Sequence, residues 1–296
     1  MENLNINNLH RFPVAKSILI LVAGLLMGLF VVAAFGGLLT AYTSIDKIGV
    51  VWIVTALQNF LVFAFPALVV GFIAIGRPLH FLGLNKAPSV VALVGALLIY
   101  VVMTPAMNWL VQWNEAMTLP DALKPVEDWM RAQEQAAKGT TDLLLSSNVL
   151  WEMLLTVLCV GILTGIGEEV FFRGALQRIC FEGTHRRHLA IWITAFVFSA
   201  LHFQFFGFVP RMVLGLLFGY LYFWSGSLWV PIVCHAVNNS LVVVFSWLTK
   251  NNVQCDDVAN VGSSDPVLAA ISGGVAIALL IAYCYLLKKL NKSERR

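Results

Sequence analysis

The stretch NVLWEMLLTVLCVGILTGIGEEVFFR, residues 148–173, decides the fold class. Its first twenty residues carry a single charge, Glu152. As a helix rising about 1.5 Å per residue, that length crosses the ~30 Å hydrocarbon core of a bilayer. The stretch then closes on two adjacent carboxylates and an arginine, groups that are expensive in hydrocarbon and usually functional when present there. Such a segment reads as a membrane helix whose polar end faces other helices and not lipid.

The rest of the chain agrees. Of 296 residues, 59% are hydrophobic and 12% charged, and the mean hydropathy is +0.82. A soluble domain carries roughly twice that charged fraction. Apolar runs occur at about 17–42, 50–75, 88–111, 148–172, 189–207, 209–224, 227–248 and 267–287, separated by Gly-Arg-Pro at 76–78, Pro88, Gly207, Ser225-Gly226-Ser227 and Asp265-Pro266. The expected fold is all-α, a polytopic transmembrane helix bundle with about eight spans. The first run is too long for a cleaved signal peptide and reads as a retained signal anchor. Three parts follow: residues 1–147, N-terminal transmembrane helices plus an outer amphipathic connector; 148–248, a core holding the chemistry; and 249–296, an outer loop, last transmembrane helix and basic tail.

Lysine and arginine set the expected orientation. Arg11, Lys16, Arg77, Lys86, Arg178, Arg186, Arg187 and the basic tail 288–296 fall on one side, while the opposite loops are dominated by acids such as Glu115, Asp121, Glu127, Asp128, Glu134 and Asp142. Both termini are expected in the cytoplasm of a multi-pass protein, in the cell membrane. The net charge of +3 then reflects topology and gives no reason to expect a nucleic-acid partner. The five cysteines form no CxxC pair or metal-ligand spacing. The long polar segment 112–147 contains Pro125, which can start a helix, and Val126, Trp129, Met130 and Ala137 near one face of it. An interfacial helix lying on the bilayer and an amphipathic connector fit this segment equally.

Few ionisable residues enter the spans. Four histidines, His10, His80, His185 and His188, fall in polar segments and read as solvated, whereas His202 and His235 lie inside apolar runs together with Glu168, Glu169 and Arg173. Glu169 and Arg173, four apart, share a helix face and suit an ion pair. Glu168 is turned about 100° from Glu169 and is free to face another neighbour. Phe198 shares a face with His202, and Asn239 with His235, so three segments offer polar groups to one interior.

Such a set can hydrolyse. A carboxylate in an apolar site can act as general base toward water, an imidazole can share or orient the proton, and a second histidine with an Asn amide can stabilise an oxyanion. Equally, Glu168, His202 and His235 are three ligands for a catalytic zinc ion with a fourth position left for water. No HExxH helix favours the metal, and the residues fit both chemistries.

Glu168-Glu169-Val170-Phe171-Phe172-Arg173 resembles the EExxxR motif of the CPBP family, the CAAX proteases and bacteriocin-processing enzymes. Phe198-Ser199-Ala200-Leu201-His202 resembles its FxxxH motif, and His235-Ala236-Val237-Asn238-Asn239 its HxxxN motif, in the family's order across roughly 148–248. The resemblance implies an intramembrane endopeptidase, metallo- or glutamate-dependent, related to the type II enzyme that trims the last three residues from prenylated proteins. It implies that Glu168 activates water with His202 assisting, that His235 and Asn239 hold the oxyanion, and that Glu169, Arg173 and Phe198 support the site. The implied partner is a membrane-associated, prenylated or leader-type protein or peptide, met within the lipid bilayer. Two other readings are a proton-coupled transporter, since intramembrane Glu and His also build relays, and a non-catalytic immunity or scaffold relative. The first lacks paired broken helices in matching halves.

Overall fold

A computed structural model describes residues 13–293; His10, Arg11, Arg295 and Arg296 lie outside them. The chain forms nine principal helices among the described residues: α1 (Val14–Tyr42), α2 (Lys47–Ile75), α3 (Val90–Glu115), α4 (Lys124–Leu144), α5 (Leu150–Thr184), α6 (Arg187–Ala200), α7 (Phe208–Ser225), α8 (Trp229–Lys250) and α9 (Pro266–Ser293). Single helical turns at Pro78–Leu82 and Asp256–Ala259 link some of them, and no strand is present among the described residues.

The sequence marks the helix ends by familiar chemistry. The Asp46 carboxylate accepts from the Gly49 N–H, the Ser89 hydroxyl from the Ala92 N–H, and Asp265 from the Val267 and Leu268 N–H groups. Each satisfies donors that the first turn leaves without an intrahelical partner. At the other ends of α2 and α7, Gly76 (φ 69°) and Gly226 (φ 65°) take the left-handed conformation that terminates a helix at little steric cost.

Seven helices (α1, α2, α3, α5, α7 with its preceding turn, α8 and α9) are long and apolar enough to cross a membrane, and α6 is a shorter apolar helix of 14 residues. The expected eight apolar segments are therefore present, but the run at 189–207 is not one continuous span. Its helix stops at Ala200 and gives way to a turn over 201–207 in which Phe203 is left-handed (φ 53°). At about 1.5 Å per residue, α6 covers only ~21 Å, short of the hydrocarbon thickness. His202 consequently stands on a turn and not on a helix.

Large apolar side chains such as Leu19, Phe30, Phe72, Val90, Val101 and Ile281 are exposed on the outside of the bundle. That pattern suits a lipid surround, where apolar groups are already solvated by the chains. Inside, one cluster joins α1, α2, the Pro78–Leu82 turn, α5 and α6 through Leu21, Ala67, Val70, Phe81, Leu82, Phe172 and Phe198. A second joins α3, α7, α8 and α9 through Ala96, Ile99, Phe218, Leu221, Cys234 and Tyr283. The five cysteines are all free.

Within the connector at 112–147, Lys124–Leu144 form α4, with Pro125 in its first turn. Its most buried residue is Glu127, whose carboxylate accepts from the Leu119 N–H and from Arg131 at 2.7 Å. Those bonds, Arg131 first, hold the Glu127 carboxyl below the usual carboxylate range. Trp129 and Val126 are half exposed, so the inward face runs through Glu127, Met130 and Glu134. α4 grips the turn after His202: the Phe206 N–H donates to Glu134 at 3.3 Å, Arg131 lies 4.3 Å over the Phe206 ring, and the half-exposed Trp129 packs its covered side on Phe205.

Candidate active site

Glu168 and Glu169 occupy a single α-helical turn, Thr164–Glu169, bracketed inside α5 by two π-helical turns, Val157–Leu163 and Val170–Leu176. Such wide turns recur at functional sites because they re-aim side chains and leave backbone carbonyls without their usual partner. Two glycines let other backbones come close here. A Cβ at Gly165 would lie 2.9 Å from the Ala236 nitrogen of α8, and one at Gly167 would lie 2.7 Å from the Asn59 carbonyl oxygen of α2. Small residues at such crossings allow the backbone approach on which membrane helix packing depends, and here they seat His235 directly against the two carboxylates.

The structure brings Glu168, Glu169, Arg173, Phe198, His202 and His235 into one cluster. Glu169 Oε1 accepts from Arg173 Nη1 at 2.6 Å and from His235 Nδ1 at 2.7 Å. Arg173 is fully buried and also donates to the Gly215 carbonyl of α7 at 3.1 Å. Its guanidinium lies 4.6 Å from the Phe198 ring centre and 5.4 Å from that of Phe218. Glu168 faces the other way: its two oxygens stand 3.9 Å from His202 Nε2 and 3.8 Å from His235 Nε2. These separations are long for a direct hydrogen bond and short enough for one water molecule to bridge.

The partners fix the imidazole orientations. A carboxylate or carbonyl oxygen only accepts, so His235 donates through Nδ1 to Glu169, and His202 donates through Nδ1 to the Phe198 carbonyl at 2.7 Å. Both Nε2 atoms are thereby turned to Glu168. Phe198 is the wedge between the rings: it meets His202 edge-on with centres 5.0 Å apart and His235 at 6.1 Å, while Phe218 stacks on His235 at 5.2 Å. The His202 side chain is 27% exposed against 10% for Glu168 and 6% for His235, so the cluster opens on the His202 side.

Asn239 stands one turn beyond His235 and is engaged elsewhere. Its amide donates to the Val160 carbonyl at 3.1 Å, and its oxygen accepts from Asn238 at 2.9 Å; Asn238 in turn accepts from the Tyr100 hydroxyl at 3.2 Å. This chain ties α3, α8 and the first π turn of α5 together. Neither Tyr100 nor Asn59, whose amide reaches the Thr164 hydroxyl at 2.9 Å, stands out in the sequence as part of the site. Lone polar residues within apolar runs are the signal that could have found both.

The zinc alternative can be tested on the donor set. Tetrahedral zinc with bonds of about 2.0–2.1 Å holds its ligand atoms roughly 3.3 Å apart. The 3.8 and 3.9 Å separations exceed this, and no group of three or more His, Cys, Asp or Glu among the described residues is arranged to hold a metal ion. Glu168, His202 and His235 as they stand do not fit a zinc centre.

The features together define a multi-pass helical membrane protein with an enclosed carboxylate–imidazole cluster. Residues 150–241, which include every residue of that cluster, match the family model described as type II CAAX prenyl endopeptidase Rce1-like. The matched residues hold all three motifs, so this part of the chain is similar to the CPBP family, and that similarity points to a protease. Over 85 residues the chain is 29% identical to the uncharacterised protein YpbD of Bacillus subtilis (strain 168), an overlap of 27% of this chain and 40% of the other. The chain thus covers about two fifths of that relative's length. No solved structure matches it.

Proposed function

We propose that the protein is a glutamate-dependent intramembrane endopeptidase that removes a short C-terminal peptide from prenylated, membrane-associated substrates. The observation carrying this reading is the placement of both Glu168 oxygens opposite the Nε2 atoms of two imidazoles whose Nδ1 atoms are already committed. A water bridging Glu168 and His202 loses a proton to the Glu168 carboxylate as its oxygen adds to the scissile carbonyl. Collapse of the tetrahedral intermediate breaks the C–N bond, and the proton held by Glu168 passes to the leaving amine.

His235, held by Glu169 through Nδ1 with its Nε2 3.8 Å from Glu168, is the side chain we assign to the developing oxyanion. Asn239 is better read as holding α8 on α5 than as a second oxyanion donor, since its amide already bonds Val160. Segment 148–248 is the proposed catalytic unit, with Asn59, Tyr100 and α4 reaching it from outside. The charge asymmetry supports cytoplasmic termini.

The test uses full-length protein in lipid vesicles with a farnesylated peptide ending in a Cys-aliphatic-aliphatic-X sequence. Mass spectrometry is expected to find loss of the last three residues, at a rate unchanged by a metal chelator. A product absent, cut elsewhere, or lost on chelation and restored by zinc would contradict the reading.

A further inference from the structure

Arg211 is the charge that the proposed chemistry leaves unexplained. It lies in the first turn of α7, a helix otherwise without ionised side chains, and is partly exposed. Its guanidinium folds back toward the His202 turn, where Nη1 donates to the Gln204 carbonyl at 3.2 Å and Nη2 to the Gln204 side-chain oxygen at 2.7 Å. Both acceptors are neutral. Gly207 makes the room, since a Cβ there would stand 3.1 Å from Nη2. Glu134 of α4 and Glu168 act on Arg211 through space, and Arg211 acts on His202, yet none of the ion pairs among the described residues involves Arg211.

The site therefore keeps a positive charge in place beside its general base without neutralising it by contact. Two of five N–H donors are committed to Gln204, which fixes the fork and leaves others for a ligand. The proposed proton transfers, from water to Glu168 and on to the leaving amine, give this cation no task. An anionic ligand does. In a peptide cut three residues from its end, the terminal carboxylate lies at most about 10–11 Å beyond the scissile carbon in an extended chain. That suits a guanidinium out of contact with Glu168 but within its electrostatic reach.

We propose that Arg211, oriented by Gln204, binds the free C-terminal carboxylate of the substrate and so sets the distance of the cut from the chain end. This rests on the endopeptidase reading and adds a specificity-determining residue to it. Its chemistry is charge-assisted and bidentate, the geometry for which arginine is suited.

The experiment compares two probes, the farnesylated peptide as free acid and as C-terminal amide, with wild-type protein, Arg211→Gln and Arg211→Lys in vesicles. Wild type is expected to favour the acid by about 10- to 100-fold in kcat/KM, chiefly through KM. Arg211→Gln should bring the acid-to-amide ratio close to one, and Arg211→Lys should restore part of it. A ratio that survives Arg211→Gln, or a wild type that cleaves both probes alike, overturns the anchor and leaves the protease reading standing. A wild type that cleaves neither overturns the protease reading itself, and the anchor with it. Because the readout is a ratio within each variant, partial loss of folded protein does not shift it.

Discussion

Glu168→Gln is expected to lower peptide cleavage by about 10²–10⁴-fold, the usual contribution of a general base, while the protein stays folded. The two effects separate because of what Glu168 touches. Its nearest polar contacts are the imidazole nitrogens at 3.8 and 3.9 Å, whereas the tight bonds that hold the helices together run through Glu169 and Arg173. Glutamine keeps the size of the side chain and removes only the ability to take a proton. Initial rates with the farnesylated peptide, read beside thermal unfolding of the same preparations, check this. Near-normal cleavage by Glu168→Gln would mean that another group activates the water.

The second large effect is expected at Arg173. Arg173→Met removes the charge that neutralises Glu169 in a place where both side chains are fully buried. Breaking one side of a buried pair typically costs about 3–5 kcal/mol, a large share of the ~5–15 kcal/mol that holds a typical soluble domain together. It also strips the donor from the Gly215 carbonyl of α7 and empties the space between Phe198 and Phe218. The double variant Glu169→Gln/Arg173→Met, uncharged at both positions, should recover much of the lost stability, since neutral replacements of buried pairs are often tolerated. Cleavage should not recover with it, because His235 Nδ1 then faces an amide in place of the carboxylate that orients its ring. Thermal melts and cleavage rates on the three proteins distinguish these outcomes.

Much of this arrangement is legible in the sequence, for identifiable reasons. Charge is so rare in the apolar runs that Glu168, Glu169, Arg173, His202 and His235 mark themselves, and the i, i+4 spacing of Glu169 and Arg173 gives their contact directly. The adjacent positions of Glu168 and Glu169 also convey that the two carboxylates face different neighbours. What the spacing does not convey is that His235 bonds Glu169 through Nδ1 while its Nε2 faces Glu168 at 3.8 Å. That depends on Gly165 letting α8 approach the α5 backbone, a tertiary event. The Asn239–Val160 bond was hidden for a related reason: it relies on a carbonyl within a π turn, and a run such as VLCVGIL gives no periodic sign of one. The end of α6 at Ala200 was masked by the apolar Leu201, Phe203, Phe205 and Phe206, which extend the hydropathic run past the point where the backbone turns. In α4, Val126, Trp129, Met130 and Ala137 mark an apolar face, and Met130 and Ala137 are partly covered, yet the buried residue is Glu127, whose bonds to Leu119 and Arg131 offset its burial.

Single-turnover cleavage in H₂¹⁸O is the most direct measurement of whether Glu168 acts on water and not on the peptide. With enzyme in excess over the farnesylated peptide, one labelled oxygen should appear in the new carboxylate of the product and none in the enzyme fragment that contains Glu168. Label found in the Glu168 side chain would mean that this carboxylate attacks the carbonyl itself, and the account given for the cluster would be wrong.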